Sequence, residues 1–267
     1  MLPNFLGIGA QRAGTTWVYN CLREHPDVFV PEKKELQFFS WHYQEGLTWY
    51  EAHFSGHAGE KAVGEVTPNY LNVPGAIPRI AQLLPKARLF VILRNPVDRA
   101  RSSYRLLRES KYQGLTFHEA CKHYRYLINL GMYAAQMEHV YSHFDQEHVK
   151  VFLYDDLQRD PREFLSKLFA FLGVDPAFQP PSTNERYNQV RYASLQDFLV
   201  KAGAGRPLDS FKRSPIGQWL KRRYARKPDT ARTSMTASEE ELSLKAKFHG
   251  DVLRLQDILK RDLSAWL

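Results

Sequence analysis

Cysteine is almost missing from this chain: Cys21 and Cys121 are the only two in 267 residues. Each falls in a stretch of helical pattern, which argues against both a disulfide framework and a thiolate metal site; both are expected as small core residues. Long apolar runs are missing as well. None exceeds the five residues of Leu89 to Leu93, against the roughly 20 that cross a bilayer. The opening Met1, Leu2, Pro3 and Asn4 bring neither a basic stretch nor the apolar segment of a secretion signal. These absences predict a soluble, cytoplasmic protein without a transmembrane segment. No internal repeat is visible. No dense cluster of His, Cys, Asp and Glu calls for a metal ion, so none is expected.

What is present suffices for a substantial core: 43% hydrophobic and 13% aromatic residues, in a length that suits one large globular domain over residues 1–267. The formal charge of +8 is unevenly placed. Residues 201–232 hold ten Lys or Arg against two Asp, so 10 − 2 = +8 lies in that segment and the remainder sums to zero. Such a stretch attracts an anionic substrate, an acidic membrane surface or nucleic acid, or is simply a solvated, mobile surface. Nucleic acid is the weakest of these, because few aromatics are interleaved and no recognition module accompanies the charge. With Gly203, Gly205, Pro207, Pro215 and Pro228, residues 202–237 read as a long loop or flexible lid holding a short helix near Trp219.

Short β-rich apolar runs alternate with helical patterns. The runs are Phe5 to Gly9, Ala62 to Val66, Arg88 to Leu93 and Val149 to Tyr154. Helical periodicity follows at Thr15 to Glu24, Ala76 to Leu84, Val97 to Glu109, and Arg162 to Leu172 with Gly173 as its stop. Strands separated by helices need crossovers, which predicts an α/β P-loop-type fold of three layers, a parallel sheet flanked by helices. Phe117 to Leu127 and Met132 to Phe144 read as inserted helices, Glu239 to Phe248 and Val252 to Leu259 as two more. Leu263, Trp266 and Leu267 are expected to pack back onto the body.

The first run leads directly into Ala10-Gln11-Arg12-Ala13-Gly14-Thr15-Thr16-Trp17. A strand, a glycine turn and a helix start make an anion site: Gly14 admits a phosphate close to the backbone, the first free amides point at it, and Thr15 and Thr16 add hydroxyls. A Walker loop would place lysine where Thr15 stands, to reach the β and γ phosphates. The nearby cation is Arg12 instead, so the loop suits a different phosphate. The third run ends in Arg94-Asn95-Pro96 and passes into a helix carrying Ser102. Ligands of open α/β sheets sit at the carboxyl ends of the strands, so Arg94 faces the same crevice, and its planar fork suits a terminal phosphate dianion. Neighbouring Arg99 and Arg101 read as structural or surface charges.

Arg12-Ala13-Gly14-Thr15-Thr16-Trp17, paired with Arg94-Asn95-Pro96 and Ser102, resembles the phosphate signatures of the sulfotransferases that use 3′-phosphoadenosine 5′-phosphosulfate (PAPS). The resemblance implies that Arg12 contacts the bridging oxygen and 5′-phosphate, that Ala13, Gly14, Thr15 and Thr16 hold the remaining oxygens, and that Arg94 and Ser102 hold the 3′-phosphate. Trp17 either stacks on adenine or is a core aromatic of the first helix. A third 3′-phosphate element has no clear counterpart; Arg186 and Arg191 are weak candidates. Pro31-Glu32-Lys33-Lys34-Glu35-Leu36-Gln37-Phe38-Phe39 resembles the glycan-type branch, whose general base falls on Glu35, with Glu65 a competing base. Gln37 stands where the heparan branch has histidine, and Val66 where it has lysine. Lys33, Lys34 and Trp41 are candidate acceptor-site residues. The implied reaction is sulfuryl transfer from PAPS to a hydroxyl or amine, leaving 3′-phosphoadenosine 5′-phosphate (PAP), with basic charge favouring an anionic acceptor. A small-metabolite kinase and a non-catalytic module for anionic ligands are the alternatives.

Overall fold

The computed structural model describes residues 1–108, 110–184 and 237–267. Arg186, Arg191, the basic segment 201–232 and, but for Ala237, the loop expected over 202–237 with its helix near Trp219 lie outside the described residues. The four apolar runs become strands β1 (Phe5–Gly9), β3 (Ala62–Val66), β4 (Arg88–Leu93) and β5 (Val149–Leu153), joined by a two-residue β2 (Val28–Phe29). They form one parallel sheet in the order β2-β3-β1-β4-β5. β1 and β3 are buried along their whole length and β4 beyond Arg88, as a parallel sheet covered on both faces requires.

Among the described residues the helices are α1 (Thr15–Glu24), α2 (Gly46–Ala52), α3 (Ala76–Leu83), α4 (Pro96–Leu107), α5 (Phe117–His123), α6 (Tyr126–Asn129), α7 (Tyr133–Tyr141), α8 (Tyr154–Arg159), α9 (Pro161–Leu172) and α10 (Ala237–Leu259). Their starts have local causes. Asn95 Oδ1 accepts from the amides of Val97 at 3.0 Å and Asp98 at 3.3 Å, with Pro96 in the first turn of α4. Asp160 and Pro161 repeat the device at α9, which Gly173 ends in the left-handed region. The stretch Phe117 to Leu127 divides into α5 and α6. Conversely, the two helices expected after residue 238 are one. Leu244, Phe248, Val252 and Leu255 form a continuous buried stripe, while Gly250 meets nothing within 4 Å of where a Cβ would stand. That burial outweighs the ~1 kcal/mol a mid-helix glycine costs.

Register sets where the site lies. Gly9 pairs with Val91 and Leu93 with Leu153, so β1, β4 and β5 release their chains at one edge. Strand order reverses at β1, which has β3 on one side and β4 on the other; that reversal opens a crevice at the carboxyl edge.

Candidate active site

Between β1 and α1 the chain turns through Arg12 at φ 70° and Gly14 at φ 84°. At Gly14 the left-handed backbone favours glycine, and an added Cβ would stand 3.1 Å from the Tyr154 ring. No side chain caps α1 and no acid lies in its first turn. Its leading amides and the positive end of its dipole are thus directed at the crevice. Ala13 and Thr15 are buried in the turn, and Thr16 is exposed.

The second motif meets this loop directly. Arg12 Nε donates to Ser102 Oγ at 3.1 Å, and Arg94 Nη1 donates to the Arg12 carbonyl at 3.1 Å. Arg94 lies 4.7 Å over the Tyr154 ring, and its own carbonyl accepts from the Tyr133 hydroxyl at 3.0 Å. Among the described residues, no carboxylate pairs with Arg12 or Arg94. Burial, and then the Arg94 charge, hold the Arg12 guanidinium below its usual range, with Tyr154 opposing; it stays protonated. Two adjacent guanidiniums, a hydroxyl and an uncapped helix start form a donor set fitted to a polyanion.

The family model described as "Sulfotransferase domain" matches residues 2–201. The chain belongs to the sulfotransferase family. A crystal structure of a sulfotransferase from Alicyclobacillus acidocaldarius, 28% identical, superposes with a TM-score of 0.74 over 100% of this chain and 99% of that one. Among curated relatives, human heparan sulfate glucosamine 3-O-sulfotransferase 6 is 30% identical over 181 residues, 64% of this chain and 52% of that protein. The Dictyostelium discoideum protein named membrane-associated sulfotransferase kil1 is 40% identical over 106 residues, 39% of this chain and 22% of that one. The chain thus spans between about a fifth and a half of these curated relatives.

In this sulfotransferase Glu35 lies on the segment that leaves β2, held to α1 where the Tyr19 hydroxyl sits 2.5 Å from the Pro31 carbonyl oxygen and 2.8 Å from that of Glu32. Its carboxylate is 34% exposed and pairs with Lys34 at 3.0 Å. Among the described residues no hydrogen bond joins Glu35 to Arg12, Arg94 or Ser102; the shared sheet edge relates them. Lys33 lies 5.6 Å over Trp49, and Trp41 is 67% exposed.

Glu65, the competing base, lies within β3 at 2% exposure, accepting from Tyr50 at 2.8 Å, Tyr70 at 2.9 Å and Thr67 at 2.6 Å. Three hydroxyls claim the carboxylate, and burial raises its pKa even so, which makes it a structural hub. Trp17 takes the packed alternative to adenine stacking. It is 3% exposed, tilted against Phe164 at 6.3 Å, with Nε1 donating to the Ser182 carbonyl at 3.1 Å.

Sequence reasoning passed over Tyr154 and Tyr133, which bear on Arg94 from α8 and α7. Only their aromatic character was legible, because both partners lie far away in the chain. Among the described residues no group of three or more His, Cys, Asp or Glu is arranged to hold a metal ion.

Proposed function

We propose that the chain transfers the sulfuryl group of PAPS to a hydroxyl or amine of an acceptor, a saccharide, lipid or other small molecule, releasing PAP. The observation that carries this reading is the junction at Arg12, where the phosphate loop and the Arg94–Ser102 motif meet without a carboxylate. Arg94 and Ser102 hold the 3′-phosphate; Arg12 and the α1 amides hold the 5′-phosphosulfate. The acceptor oxygen or nitrogen forms its bond to sulfur as the bond from sulfur to the bridging phosphate oxygen breaks, and that oxygen keeps the electron pair. Glu35 takes the acceptor proton, while Arg12 stabilises the charge gathering on the departing phosphate. Lys33 and Lys34 beside Glu35 support an anionic acceptor. A cytoplasmic setting belongs to the same proposal, and fractionation checks it.

Calorimetric titration with PAP, 5′-AMP and ATP with magnesium tests the donor. Tight binding of PAP that needs its 3′-phosphate and is lost in Arg12→Ala and Arg94→Ala is expected; preference for ATP with magnesium would bring the kinase reading forward. Glu35→Gln is expected to keep PAP affinity and lose turnover by roughly 10²–10⁴-fold, the usual contribution of a general base. A fully active Glu35→Gln protein would place the base elsewhere.

A further inference from the structure

Arg99, on α4 within one turn of Asn95, is the largest of the fully buried side chains described, at 0% exposure. Its Nη2 donates to the Leu127 carbonyl of α6, and its Nη1 donates to Ser103 Oγ at 3.3 Å, beside Ser102. Its Nε is buried without a partner. Among the described residues no carboxylate meets it, just as none meets Arg12 or Arg94. Burial first, and more weakly the charges of Arg12 and Arg94, hold it below the usual guanidinium range. Leaving a cation in the interior without a counter-ion is unfavourable, and a neutral amide could serve the Leu127 carbonyl. The fold therefore carries a charge that its own packing does not require. An anion bound at Arg94 and Ser102 would supply the missing counter-charge.

We infer that Arg99 is a positioning residue for the donor: its buried charge adds to the field of Arg12 and Arg94, and its hydrogen bonds fix the turn of α4 that presents Ser102 to the 3′-phosphate. This rests on the donor reading above. The consequence is a trade of apo stability for affinity. Without ligand the charge is a burden on the fold, and the 3′-phosphate relieves it, so binding and folding are linked through this side chain.

The test compares the PAP-over-5′-AMP affinity ratio, and the ligand-free melting temperature, in the full chain and in Arg99→Met, Arg99→Gln and Arg99→Lys. Arg99→Met and Arg99→Gln are expected to shrink the ratio at least tenfold with the ligand-free melting temperature unchanged or raised, and Arg99→Lys, which keeps the charge, to retain most of it. A lowered melting temperature with the ratio intact would make Arg99 a structural residue and overturn the inference. So would an Arg99→Lys ratio as poor as that of Arg99→Met, or neutral variants that stay unfolded even at saturating PAP. A wild-type chain without preference for PAP would overturn the donor reading and this inference together. A wild type that prefers PAP, with Arg99→Met unchanged in ratio, would overturn this inference alone.

Discussion

Replacing Tyr50 by Phe isolates one bond of the buried hub under the Glu35 loop. The Tyr50 ring stacks on Phe38 at 4.2 Å and 9°, and meets Phe54 edge-on at 5.2 Å. Phenylalanine keeps those contacts and removes only the hydroxyl that stands 2.8 Å from Glu65 Oε1. Hydrogen bonds to a charged group contribute about 1.5–3 kcal/mol, so the expected loss is about 2 kcal/mol, a fall of about 5 °C in melting temperature. The sign of the pH dependence is fixed too. Burial raises Glu65 above the usual carboxylate range, while Thr67, Tyr50 and Tyr70 hold it down. A folded state that keeps a proton the unfolded chain has released loses stability as pH rises from the unfolded value through the folded one. Removing a donor lifts the folded value further, so the deficit of Tyr50→Phe should be largest near neutrality and shrink on acidification. Adding Tyr70→Phe, which also removes the acceptor of the Phe39 amide at 3.4 Å, should enlarge both effects. Denaturant unfolding from pH 5 to 8 measures this. A loss under about 0.5 kcal/mol, or a deficit that grows as pH falls, would refute the reasoning.

Gly14→Ala places a Cβ at positive φ and within 3.1 Å of the Tyr154 ring. It should cost about 1–2 kcal/mol from the backbone alone and weaken PAP binding beyond what that stability loss explains, as titration below the melting transition would reveal. Asn95→Ala uncaps α4 by removing its bonds to the Val97 and Asp98 amides. A loss of about 1 kcal/mol in thermal unfolding is expected.

The strands that place the site were legible because β1, β3, β4 and β5 are unbroken apolar runs. β2 was not, since the two residues Val28 and Phe29 are too few to show a period. α2 begins at Gly46 with no side-chain cap and an aromatic-rich sequence, so it lacked the usual start signal. Arg12, Gly14, Arg94 and Ser102 could be read because loop chemistry is local, and the structure brings Arg12, Arg94 and Ser102 into contact. Glu65 and Arg99 could not. The sequence shows a charge in a strand and another on a helix, but full burial of either depends on partners up to 28 residues away: Tyr50, Thr67 and Tyr70 for one, Ser103 and Leu127 for the other.

β1 is the first strand of the sheet to leave the ribosome and lies at its centre, yet both neighbours come much later: Val66 pairs with Gly7, and Val91 with Gly9. Until those residues emerge, the apolar segment Phe5–Gly9 has no edge to join. The contacts at the anion crevice span 82 and 90 positions, so closing them carries the loop entropy of long-range pairing. Synthesis therefore delivers the central, fully buried strand first and completes the binding edge only after β4 and α4 arrive. Nascent chains stalled before residue 102 should expose Phe5–Gly9 to holdase chaperones and retain no affinity for PAP.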